Sequence, residues 1–100
     1  MARASSLIHP GRVLREEFME PMNLDSDALA RALDVEPGRI ASLIANAAPV
    51  TSDIALRLAR CFRTTGRFWL GLQAAYDLET AQAEHGAEIA ARVQPLALAA

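Results

Sequence analysis

Two short amphipathic stretches, residues 26 to 33 and 37 to 45, follow one another across a break that opens at Asp34 and carries Pro37 and Gly38. In the first, Ala30 and Leu33 take inward positions with Leu29 beside them. In the second, Ile40, Leu43 and Ile44 point one way while Arg39, Ser42 and Asn46 point another. Flanked by longer amphipathic stretches, this is the layout of a helix-turn-helix, in which a first helix braces a second whose N-terminal residues enter the major groove of DNA. Short helices with a sharp turn also build generic helical bundles, so the pattern alone leaves both readings open.

The flanks fill in an all-α chain. Residues 1 to 8 lack periodicity and read as a loose arm. His9-Pro10-Gly11 opens a helix with Val13, Leu14 and Phe18 on its apolar side, and Pro21 closes it. Asp25 or Ser26 can cap the next helix, and Pro37 suits the first position of the one after. Thr51 or Ser52 caps a fourth, whose stripe is Ala55, Leu58, Ala59 and Phe62. Thr65 caps a fifth from about Arg67 to Ala83, unusually apolar with Phe68, Trp69, Leu70, Leu72, Tyr76 and Leu78. Gly86 is expected to punctuate it before a last segment over Ala87 to Val93. The predicted organisation is a helix-turn-helix unit over 9–64, dimerisation helices over 65–94 packed on the same core, and a tail over 95–100.

Composition agrees with helices. Ala and Leu, both strong helix formers, number 21 and 13 of 100 residues. All ten basic residues are Arg, set against 12 carboxylates for a net charge of −2. The chain therefore carries no global electrostatic signature of nucleic acid. The acidity is uneven, however: residues 1 to 67 sum to +1 and residues 68 to 100 to −3.

On the second short helix, Gly38, Arg39, Ala41 and Ser42 give the convex face of small and polar residues that a groove admits. Arg39 has the reading power, because one guanidinium can bond two acceptors of a guanine. Thr51 and Ser52 at a helix start can hold a phosphate. Arg57, Arg60, Arg63 and Arg67 read as a solvated face pairing with Glu16, Glu17 and Glu20. Phe68 and Leu72 read as core. The surplus of apolar surface on the fifth helix points to a dimer seam as well, at Phe68, Trp69, Leu72, Gln73 and Tyr76.

Order and spacing of several motifs make the run from His9 to Ala81 resemble the HigA antitoxins, also described as VapI-like, of the Xre-type helix-turn-helix superfamily. The motifs are His9-Pro10-Gly11, Leu14-Arg15-Glu16-Glu17-Phe18 with Pro21, Thr51, Ala55-Leu56-Arg57-Leu58-Ala59-Arg60 with Phe62, and Phe68-Trp69-Leu70-x-Leu72-Gln73-x-x-Tyr76-Asp77-Leu78. The resemblance implies a five-helix, lambda-repressor-like domain with an extra C-terminal helical segment. It also implies a dimer that represses its own operon and neutralises a RelE-like ribonuclease toxin of the HigB type. The candidate DNA-contacting set is then Ser26, Asp27, Pro37, Gly38, Arg39, Ala41, Ser42, Asn46 and Thr51.

Family members commonly carry Ser-Gln at the start of the first helix of the motif, Gly in its turn, and an Asn-Gly-Lys-Arg-like stretch after the second helix. Here Ser26-Asp27, Asp34 and Ala45-Asn46-Ala47-Ala48 stand instead. Each change removes a phosphate contact or brings in a carboxylate, which weakens DNA binding and its salt dependence. A module that keeps the fold for protein contacts, and an orphan regulator without a toxin, are the competing readings.

Catalysis and metal chemistry find no footing. His9 precedes a helix-opening Pro and reads as a cap or surface residue, while His85 beside Gly86 suits a helix end. Cys61 pairs with no histidine, and Glu16 and Glu17 diverge by about 100 degrees on a helix. Cys61, His9 and His85 lack the spacing of a zinc site, and a single cysteine allows no intrachain disulfide. The expected partners are operator DNA, a ribonuclease toxin and a second copy, with no cofactor, small-molecule ligand or membrane, in the cytoplasm.

Overall fold

The computed structural model describes residues 7–97. Helix α1 begins at Pro10–Val13 and continues without a break into a wider, π-type stretch over Leu14–Met19. It is followed by α2 (Ser26–Leu33), α3 (Pro37–Ile44), α4 (Ser52–Phe62) and α5 (Gly66–Arg92). There is no strand among the described residues.

Local chemistry starts each helix. The His9 Nδ1 accepts the Gly11 N–H at 2.9 Å, ahead of Pro10 at the first helical position. Asp25 caps α2 through the Ala28 N–H at 2.8 Å, Thr51 caps α4 through Ile54 at 3.2 Å, and Thr65 caps α5 through Phe68 at 3.0 Å. Each accepts one of the N–H groups that a helix start leaves unpaired. Helices α2 and α4 end on left-handed residues, Asp34 at φ 58° and Arg63 at φ 59°.

Gly11 is required by packing. A Cβ there would overlap the Leu43 carbonyl near the end of α3, so only glycine lets α1 cross at this distance. In the π-type stretch the Glu20 N–H donates to the Arg15 carbonyl at 2.9 Å, five residues back. The same spacing brings the Arg15 guanidinium to Glu20 at 3.0 Å.

The core joins Leu14 and Met19 of α1, Leu29, Ala30 and Leu33 of α2, Ile40 and Leu43 of α3, Val50, Ile54, Ala55 and Leu58 around α4, and Trp69 of α5. Trp69 is fully buried, its Nε1 donating to Thr64 Oγ1 at 2.7 Å and its ring centroid 5.1 Å from Phe18. Phe68, expected inside, is 40% exposed. Of these two neighbours, both read as seam residues and Phe68 also as core, it is Trp69 that lies inside. Trp69 belongs to the protomer's own core and offers nothing to a second copy. Gln73 is corrected in the same way: its Oε1 accepts the buried Val50 N–H at 2.7 Å while its Nε2 donates to Asp77 at 2.9 Å.

Helix α5 runs 27 residues through Gly86 without interruption. The expected break there does not occur. One helical glycine costs only about 1 kcal/mol relative to alanine, and the surrounding residues, rich in Ala and Glu, favour the helix.

Candidate nucleic-acid interface

The α2–α3 pair is held as a rigid unit by two kinds of contact. Inward faces bury Leu29, Ala30, Leu33, Ile40 and Leu43, and the reversal between them is closed by an arginine from outside. The Arg57 Nη1 donates to the carbonyls of Leu33 at 2.8 Å and Asp34 at 3.1 Å, two acceptors that a helix C-terminus leaves free. Its Nε donates to Asp53 at 2.8 Å. Arg57 therefore has a structural role, as the pairing reading anticipated, but its partners are Asp53 and the turn. Glu16 and Glu20 pair with Arg12 and Arg15 instead.

With its apolar side buried, α3 turns Pro37, Gly38, Arg39 and Ala41 outward, all exposed, with Ser42 half-buried beside them. Gly38, Arg39 and Ser42 line an open groove of about 470 Å³, whose opposite wall is Pro49, Thr51 and Ile54. The structure thus brings four of the nine candidate residues, Gly38, Arg39, Ser42 and Thr51, to one groove. Pro37, Ala41 and the left-handed Asn46 are exposed outside its lining, and Ser26 and Asp27 stand in the first turn of α2.

Thr51 is positioned from a distance. Its side chain caps α4, and its backbone follows Val50, which Gln73 of α5 anchors. Arg39 lies 3.9 Å from Asp53, which is itself held by Arg57. Asp53 was not among the sequence candidates. Its spacing of four residues from Arg57 signalled only an ordinary helix pair.

A second surface feature lies across α4 and the start of α5. Leu56 is 67% exposed and Leu70 36%, and together with Ala55, Gly66 and Gly71 they line a groove of about 490 Å³. Of the five expected seam residues, Phe68 remains exposed and Leu72 and Tyr76 half-buried.

His9 is buried against the edge of the Tyr76 ring, with centroids 5.0 Å apart, and burial holds its pKa below the ordinary 6.5 against the raising effects of Asp77 and a hydrogen bond to the Ala48 backbone. The Cys61 thiol is pushed up by burial, opposite to the shift of an activated nucleophile.

Relatives bear on this geometry. Virulence-associated protein I of Dichelobacter nodosus is 48% identical over 75 residues, 75% of this chain and 69% of the relative. Antitoxin HigA-1 of Vibrio cholerae is 41% identical over 68 residues, 68% of this chain and 64% of the relative. The Pseudomonas aeruginosa antitoxin HigA, solved with the higBA promoter, superposes with a TM-score of 0.88 at 39% identity, covering 90% of this chain and 98% of that one. The chain belongs to the HigA family of helix-turn-helix antitoxins. No family model matches it.

As a HigA-family protein it is not an enzyme. Its capped helix starts, crowded Gly11 and buried Trp69 account physically for three of the motifs that carry the resemblance. Among the described residues no helix is long and apolar enough to cross a membrane.

Proposed function

We propose that a homodimer of this chain binds operator DNA through the N-terminal half of α3, represses its own operon, and binds and neutralises a RelE-like ribonuclease toxin in the cytoplasm. One observation carries the DNA reading: Arg39 and Ser42 stand on an exposed helix face across a groove from the α4 N-cap Thr51, in a chain whose Pseudomonas aeruginosa relative was solved with its promoter. A guanidinium there can address the two acceptors of a guanine edge, and the α4 start can hold a phosphate. The exposed Leu56 and Leu70, with Phe68 nearby in sequence, support a seam between two copies. A two-fold dimer fits half-sites about 34–36 Å apart. The charge of −3 over residues 68 to 100 supports a basic partner such as the toxin.

The test is a gel shift with the DNA upstream of the chain's own reading frame, at low and moderate salt. Wild type is expected to prefer that DNA over unrelated sequence. Arg39→Ala should cost about 1–3 kcal/mol and relax preference at one base position. Equal loss on all sequences would instead make Arg39 a phosphate contact. Toxin binding is tested by co-purifying the chain with the product of the adjoining reading frame.

The absence of basic residues over Ala45 to Ala48 favours a second reading, a protein-interaction module whose DNA role has lapsed. Tight toxin binding with no specific DNA shift would select it.

A further inference from the structure

Arg39 is the cation on the outward side of α3, and what it can read depends on how its long side chain is held. A free arginine in water samples many rotamers, and ordering it on a base edge costs entropy that offsets part of the contact. Here one partner lies within reach. The Arg39 Nη2 is 3.9 Å from Asp53 Oδ2, and among the described residues it has no other ion pair or side-chain hydrogen bond.

Asp53 is not loose. The same Oδ2 accepts the Arg57 Nε at 2.8 Å, and Arg57 is fixed through its Nη1 to the Leu33 and Asp34 carbonyls. A chain of charge therefore runs from the α2–α3 turn, through Arg57 and the first turn of α4, to Arg39. Asp53 is well placed at that helix start, where the macrodipole favours a carboxylate. The fork of Arg39 has five donors, so a carboxylate near one nitrogen leaves a free edge for two acceptors.

We propose that Asp53 is a positioning residue for Arg39: braced by Arg57, it buttresses the guanidinium so that the free edge meets the O6 and N7 acceptors of a guanine, and thereby sets operator specificity. The proposal rests on α3 being the DNA-reading helix. It also fixes the sign of two effects. Losing the carboxylate removes the preorganisation that benefits the correct base alone, and it removes a negative charge that repels every phosphate nearby. Operator binding weakens while binding to unrelated DNA strengthens.

The experiment measures affinity by fluorescence anisotropy for two duplexes, the DNA immediately upstream of the chain's own reading frame and a shuffled duplex of equal composition. The full chain is used as wild type, Asp53→Asn, Arg39→Ala and the double variant, each checked for folding by thermal unfolding. Asp53→Asn is expected to lower the ratio of the two affinities about two- to fivefold, the span of an exposed ion pair. In the Arg39→Ala background the same change should leave the ratio where Arg39→Ala put it, and Asp53→Glu should recover most of the loss. Asp53→Ser, still a good residue for a helix start, replaces Asp53→Asn if that variant does not fold.

An unchanged ratio in Asp53→Asn overturns the buttress, as does an equal fall with and without Arg39, which would mean general electrostatics. A wild type that does not distinguish the two duplexes overturns the DNA-reading function itself, and the buttress with it.

Discussion

At the scale of single residues, two buried polar side chains join distant parts of the chain. Gln73 satisfies the Val50 N–H, and removing its side chain leaves a buried donor without a partner. Gln73→Ala is expected to cost about 1–3 kcal/mol in urea unfolding, because an orphaned buried group loses its full solvation. His9 ties the start of α1 to Tyr76 of α5 and to the Ala48 backbone. Burial lowers its folded pKa, so between that value and the unfolded 6.5 the unfolded chain binds more protons. The contribution is complete above pH 6.5 and is lost as pH falls through that window. The melting temperature should therefore drop between about pH 7.5 and 5.5, and His9→Asn, which keeps a capping acceptor, should flatten that part of the profile. A wild-type profile as flat as the variant's would remove His9 as the cause.

At the scale of elements, the helix-turn-helix depends on how α2 stops. Asp34 adopts φ 58°, a conformation that costs a residue with a Cβ more than it costs glycine, although Asp tolerates it better than most. Asp34→Gly relieves that strain while freeing the unfolded chain, and the expected net gain is about 0.5 kcal/mol. Asp34→Val, β-branched at the same angle, should lose about 1–2 kcal/mol, and denaturant midpoints measure both. The Arg57 bonds to the turn go to backbone carbonyls and survive either change. Much of this layer was legible beforehand. Caps at Asp25 or Ser26, at Thr51 or Ser52 and at Thr65, and breaks at Pro21 and Asp34, follow from interactions spanning three or four residues, and the structure selects Asp25 and Thr51. The extension of α5 through Gly86 was not, because a single weak breaker is outweighed by the sum of its neighbours' propensities.

At the scale of the whole molecule, the apolar surface that one protomer leaves uncovered bears on the proposed homodimer. Leu56 and Leu70 share a groove at the α4–α5 boundary, and a charge there should separate two copies without touching the core. Leu56→Glu and Leu70→Glu are each expected to shift the chain from dimer towards monomer in analytical ultracentrifugation, with its helical signal retained. A monomeric wild type would overturn the proposed dimer, and variants that remain dimeric would place its seam elsewhere.

The sequence by itself determined where α1 to α4 begin and end, which side of each faces inward, and that α3 presents Arg39 outward, since all of these are set by local periodicity and capping. Tertiary structure alone decided between Phe68 and Trp69. An apolar residue on nearly every side of α5 carries no phase, and only the docking of α1 and α4 selects the side that is buried. It also decided the chemistry around Arg39, because the Asp53 and Arg57 that support it come from another helix, brought there by a core that no short-range pattern encodes.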